Sequence, residues 1–276
     1  MPRNGYRSQG NFLDNFSGVD VDLRGTHGRI SIGQFDPSAS PSTWPGAVLL
    51  KRLGEGRGMG QDECVAVIAG MREYANSVLS LPIRTPKVYS RQPVLQGLEY
   101  QVWIAEEYIR GETFSDLWTS KRHTLEYKSI FVGKLLSILS AIPEIDGSLT
   151  LAGVKMKYLR VGLDLKPANI VVADSTDVVL VDTYPPVNMS VDGIRGYDPR
   201  IYRFGHAKLA AVCGTRVGIA LRLWWLLRES AERNDRWNVD QMFRDQLARE
   251  LVPESDATAV LNQATAGFPL LRLLYP

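Results

Sequence analysis

The chain has 276 residues, 45% of them hydrophobic and 22% charged, which is enough apolar material for a full core in one large domain or two lobes. Its 32 basic and 30 acidic residues leave a formal charge of +2, too even a balance to argue for a nucleic acid or a membrane surface as partner. Two cysteines, Cys64 and Cys213, build no disulfide framework and have no His or Cys at metal-ligand spacing, so both are expected as buried, small apolar residues.

Residues 1–17 are rich in Gly, Asn, Ser and Arg and are expected as a loose arm without the apolar run of a signal peptide. From Val19 to Leu23 apolar and polar residues alternate, and Arg29 to Ile32 alternate again. Between them Gly25-Thr26-His27-Gly28 reads as a tight turn whose glycines would let backbone amides approach phosphate oxygens, although any hairpin can end this way. His27 is expected to face solvent. A Pro- and Ser-rich loop over 36–46 precedes the apolar run Ala47-Val48-Leu49-Leu50, which ends at Lys51. Lys51 either snorkels at a strand end or grips phosphate, and Arg52 beside it leaves the register open by one. Residues 62–79 show helical spacing, with Val65, Ile68, Met71 and Ala75 on one face. That helix carries two glutamates, Glu63 in its first turn and Glu73.

Short strands are expected at 87–89 and 100–105, followed by Glu106-Glu107-Tyr108-Ile109-Arg110-Gly111 and a helix beginning at Thr113. Residues 125–142 read as a helix packed through Ile130, Leu135, Ile138 and Leu139. Lys155, Lys157 and Arg160 form either a solvated face or a steering patch for an anion. Asp164-Leu165-Lys166-Pro167-Ala168-Asn169 comes next, then two β-branched runs around Ala173-Asp174-Ser175-Thr176-Asp177, then Asp182. Such a hairpin brings Asn169 at its entrance near Asp182 at its exit, two hard oxygen ligands of the kind Mg²⁺ prefers. Asp164 could accept a proton from a hydroxyl. Residues 205–232 read as one long buried helix with Trp224 and Trp225 in the core, and 237–250 and 256–266 as further helices. An apolar tail, 268–275, is expected on the core, with a partner's surface as the alternative. Arg216 and Arg222 interrupt the apolar stretch 209–227, which argues against a membrane-spanning helix.

Taken together, Asp164 to Asn169, Leu180-Val181-Asp182-Thr183, residues 106–117 and the strand ending in Lys51 resemble the protein-kinase-like superfamily, in the broad sense that includes aminoglycoside and choline kinases. The resemblance covers about residues 19–185. It implies an α+β, two-lobed protein-kinase-like fold: a small antiparallel sheet with one helix over 1–107, and a mostly helical lobe over 108–276. It implies ATP between the lobes and Mg²⁺ on Asn169 and Asp182. Asp164 and Lys166 would be catalytic, while Lys51, Glu73, Gly25, Gly28, Glu106 and Tyr108 would bind the nucleotide, with Glu73, favoured over Glu63 by the family's spacing, pairing with Lys51. The acceptor would be a hydroxyl of a small molecule or of a peptide Ser/Thr, with a protein partner, a cytoplasmic location and neither nucleic acid nor membrane. The chain departs from the family at Gly162, where a His is usual, and at Thr183-Tyr184, which replace Phe-Gly. It also lacks an Ala-Pro-Glu and a long activation segment. These departures leave two rivals: a pseudokinase acting as a nucleotide-binding or scaffolding subunit, and a kinase-like adenylyl transferase.

Overall fold

In a computed structural model, the described residues are 16–25, 28–35, 47–53, 59–151, 154–184, 187–195 and 205–250. The expectations for the N-terminal arm as far as residue 15, for Thr26 and His27, for the 36–46 loop, for the 256–266 helix and for the apolar tail lie outside them. The chain is mixed α+β with small antiparallel sheets and divides into two compact units. One comprises Met1–Ile68 and Pro86–Tyr108, the other Ala69–Thr85 and Ile109–Pro276. Residues 69–85, expected in the first, group with the second.

The first unit is built on a five-stranded antiparallel sheet of order β1-β2-β3-β5-β4. Its strands are β1 (Phe16–Gly25), β2 (Gly28–Phe35), β3 (Ala47–Leu53), β4 (Val88–Gln96) and β5 (Glu99–Glu107). Pro93 lies in β4, which is an edge strand, the place in a sheet where proline is tolerated. The β4–β5 connection turns through Gly97 at φ 66°, a left-handed conformation that glycine adopts without strain. Val48, Leu50 and Ala105 cluster on one face, with Tyr89 and Trp103 packed against them. On the other face Val102 and Ile104 are fully buried.

Helix α1 (Gln61–Val78) buries Cys64, Ile68, Met71, Tyr74 and Val78. The expected face therefore shifts: Val65 is exposed, and the buried stripe runs one residue earlier, through Cys64. Tyr74 rather than Ala75 carries the stripe forward.

The second unit has its core among the α-helices. These are α2 (Phe114–Thr119), α3 (Leu125–Ala141), α4 (Gly205–Gly214), α5 (Arg216–Ser230) and α6 (Arg236–Glu250). Phe114, Phe131, Leu135, Leu136, Leu139, Trp224 and Phe243 are nearly inaccessible, and each such side chain stabilises the fold by about 2–3 kcal/mol through burial. Ile130, expected to pack, is exposed because the α3 stripe is carried by Phe131, Leu135 and Leu139. Thr113, Thr124 and Thr215 act as N-caps, each side chain accepting a backbone N–H three residues on.

The cap at Thr215 corrects the expected single helix over 205–232. Thr215 has extended φ/ψ, its hydroxyl donates to the Ala211 carbonyl and accepts from Gly218 N–H, and α4 stops while α5 begins. Among the described residues no helix is long and apolar enough to cross a membrane. Trp224 is core, as expected, and its indole N–H reaches Asp240.

Two hairpins complete the unit. β7 (Glu144–Leu151) pairs with β8 (Val154–Leu159), and β11 (Met189–Ser190) with β12 (Gly193–Ile194). The site rests on a three-stranded sheet of order β10-β9-β6, from β6 (Gly111–Thr113), β9 (Ile170–Ala173) and β10 (Val178–Leu180).

Candidate active site

Residues 162–166 belong to no helix or strand, so their polar backbone groups need partners from elsewhere. They find them. Gly162 N–H donates to Val187 O at 3.1 Å, and Leu163 N–H to Cys213 O at 2.7 Å. The Tyr74 hydroxyl donates to Gly162 O at 2.7 Å. Burial, with the nearby Cys213, Asp164 and Asp182, pushes the Tyr74 phenol well above its usual range, so it remains a neutral donor.

Asp164 is 6% exposed, and both of its oxygens are paired. Arg222 Nη1 lies 2.6 Å from Oδ1, and Lys166 Nζ lies 3.1 Å from Oδ2. The same Arg222 nitrogen also donates to Cys213 Sγ at 3.1 Å. The Cys213 thiol is pushed up to about 12, by burial first and by Asp164 second, against the opposing pull of Arg222 and Lys166. It is an acceptor here, not a nucleophile.

A 3-10 turn over Pro167–Asn169 follows, with Asn169 N–H on Lys166 O at 2.9 Å. Asn169 Nδ2 donates to the Asp164 carbonyl at 3.2 Å, which orients the amide and turns its Oδ1 away from that bond. Across the hairpin, Val181 N–H donates to Asn169 O at 2.9 Å, extending the β9–β10 ladder by one pair and placing Asp182 one residue beyond it. Asp182 Oδ1 accepts Tyr184 N–H at 3.1 Å, leaving Oδ2 for another partner. Asp164, Lys166, Asn169 and Asp182 are thus gathered within one unit.

Donor chemistry fits a hard divalent cation. Asn169 Oδ1 and Asp182 Oδ2 would offer two oxygen ligands, the protein share typical of a Mg²⁺ that keeps water and phosphate in its remaining positions. No group of three or more His, Cys, Asp or Glu side chains able to hold a metal occurs among the described residues, so an all-protein cage is not built there.

In the first unit, Lys51 is buried and its Nζ lies 2.6 Å from Glu106 Oε1. Lys51 stands opposite Ile104 on β5, so Glu106, two residues along the same face, is its diagonal neighbour and within reach of a lysine stem. Within the second unit Glu73 is exposed and faces Arg195 at 3.5 Å. Tyr108 follows the end of β5 and is partly exposed. Gly25 and Gly28 close the β1–β2 hairpin opposite one another, and Gly28 faces Leu53, two residues beyond Lys51.

Lys155, Lys157 and Arg160 are exposed while Met156 and Tyr158 are buried, an alternation that follows the strand's two-residue period and suits both alternatives for these cations. Arg222 and Tyr74 were not singled out from sequence. Arg222 had one visible signal, a cation in the middle of an apolar helix. No protein-family model matches the chain, and no curated protein matches it in sequence.

Proposed function

We propose that the chain is an ATP- and Mg²⁺-dependent phosphotransferase of two-lobed, protein-kinase-like architecture, moving the γ-phosphate to a hydroxyl of a small molecule or of a peptide Ser/Thr. The observation that carries this reading is the gathering of Asp164, Lys166, Asn169 and Asp182 on one loop and one hairpin, with the loop held on every side. In this reading Asp164 orients the acceptor hydroxyl and takes its proton as the acceptor oxygen bonds phosphorus and the β–γ bridge breaks. Lys166, a third exposed or less and on a flexible stem, leaves Asp164 for the transferring phosphate. Lys51, held by Glu106, grips the other phosphates. Asn169 and Asp182 would hold Mg²⁺, whose charge offsets that on the phosphate oxygens. Phosphoryl transfer needs positioning and charge compensation more than covalent help, and these residues supply both.

Calorimetric titration of ATP, with and without Mg²⁺, into the wild type and Asp182→Ala tests the assignment. Mg²⁺-dependent binding is expected in the wild type and at least about tenfold weaker in the variant, since one of two protein ligands is gone. Equal binding in both would refute it. A second reading, a nucleotide-binding scaffold without turnover, is favoured by one observation: both Asp164 oxygens are already in ion pairs. Binding of Mg²⁺–ATP with no phosphate release from any hydroxyl donor, water included, would select it.

A further inference from the structure

We propose that Arg222 is a positioning residue for Asp164, fixing its Oδ1 so that Oδ2 alone serves the acceptor hydroxyl; this rests on the phosphotransfer reading above. A carboxylate turns freely about its last torsion, and a base must present one chosen oxygen. The two cations on Asp164 differ in what they can do. Lys166 is 26% exposed at its side chain and can swing away from Oδ2. Arg222 is 10% exposed at its side chain, sits in the middle of α5 between Leu221 and Leu223, and shares its nitrogen with Cys213 Sγ. Its ion pair at 2.6 Å is charge-assisted and short.

Cys213 ties the two sides together. Its sulfur accepts from Arg222 and its carbonyl accepts from Leu163, next to Asp164, so guanidinium and loop are set on one residue of α4. The loop has no internal brace at position 162, because a side chain there would collide with Val187. The brace comes from α5 instead. Stability alone does not account for an arginine at this place, since apolar side chains of similar volume hold buried elements together as well as an ion pair does.

The test uses the full chain, Mg²⁺–ATP as the probe and water as the phosphate acceptor, in the wild type, Asp164→Asn, Arg222→Met and Arg222→Lys. In Arg222→Met, kcat should fall about 100-fold, the scale of an ångström of misplacement. The ATP KM should stay within about twofold, because a positioning loss acts on the transition state rather than on binding. Arg222→Lys, which keeps the charge, should recover about a tenth of the wild-type kcat at the same KM. If removing the charge prevents folding, the lysine variant alone decides: a lower kcat at fixed KM supports the role, and an unchanged kcat overturns it. A full rate in Arg222→Met beside a lost rate in Asp164→Asn overturns this proposal alone. Equal rates in the wild type and Asp164→Asn sink the phosphotransfer reading and this proposal with it.

Discussion

A Cβ on Gly162 would collide with Cγ1 of Val187 and stand 2.8 Å from the Cys213 carbonyl oxygen. Space dictates glycine there, and the same closeness lets Gly162 and Leu163 bond to Val187 and Cys213. The glycine at this position therefore has a local cause. Gly162→Ala should lower stability by about 2–3 kcal/mol, the cost of forcing a methyl into a packed site. Urea unfolding measures it, and an unchanged midpoint would show that the loop yields. Lys51 carries a similar lesson about identity and place. A carboxylate on Lys51 comes from the adjacent strand, at Glu106.

Among the elements, the β9–β10 hairpin sets the distance between Asn169 and Asp182, and its turn holds a strained residue. Thr176 has φ 65°, a left-handed conformation costly for a β-branched side chain. The turn holds it there through Thr176 N–H on Ala173 O at 2.7 Å and Lys134 Nζ on Thr176 O at 3.0 Å. Thr176→Asn, which tolerates that conformation, should raise stability by about 0.5–1 kcal/mol without moving the ladder. A midpoint that falls on urea unfolding would place the strain elsewhere. Helices α1 and α3 and the β9–β10 hairpin were legible because each is specified by its own periodicity. The break at Thr215 was not, since apolar residues resume at Val217 after it and the cap itself is one hydroxyl. The faces at Val65 and Ile130 were misplaced by a residue for a related reason: periodicity locates a stripe, while the packed partner chooses its edge.

Across the whole molecule the two thiols report on folding. Cys64 and Cys213 are both buried, with pKa values pushed up to about 11 and about 12, in each case chiefly by burial. A raised folded pKa means that the unfolded chain ionises first. Below the ordinary value of 9.0 both states hold the proton and the contribution to stability is complete; as pH rises toward 11–12 it is lost. Melting temperature should therefore fall more steeply from pH 9 to 11 in the wild type than in a Cys64→Ala/Cys213→Ala double variant. Parallel slopes would contradict this. The acid, the lysine after it and the two candidate metal ligands could be read from sequence because they lie within nineteen residues of one another. Arg222 and Tyr74 could not, because nothing in a linear pattern links α5 or α1 to the loop.

That separation has a consequence for folding. The bonds that shape residues 162–169 close loops of 88 residues to Tyr74 and 58 to Arg222, and Asn188, beside the Val187 that holds Gly162, is bound to Gly70 across 118. Each closure costs chain entropy that grows only with the logarithm of its length, but none is recovered until the distant element has arrived. The ten or so residues that spell the motif therefore do not encode its geometry. A peptide of that sequence, or the same loop grafted onto another scaffold, would carry the functional groups without their arrangement.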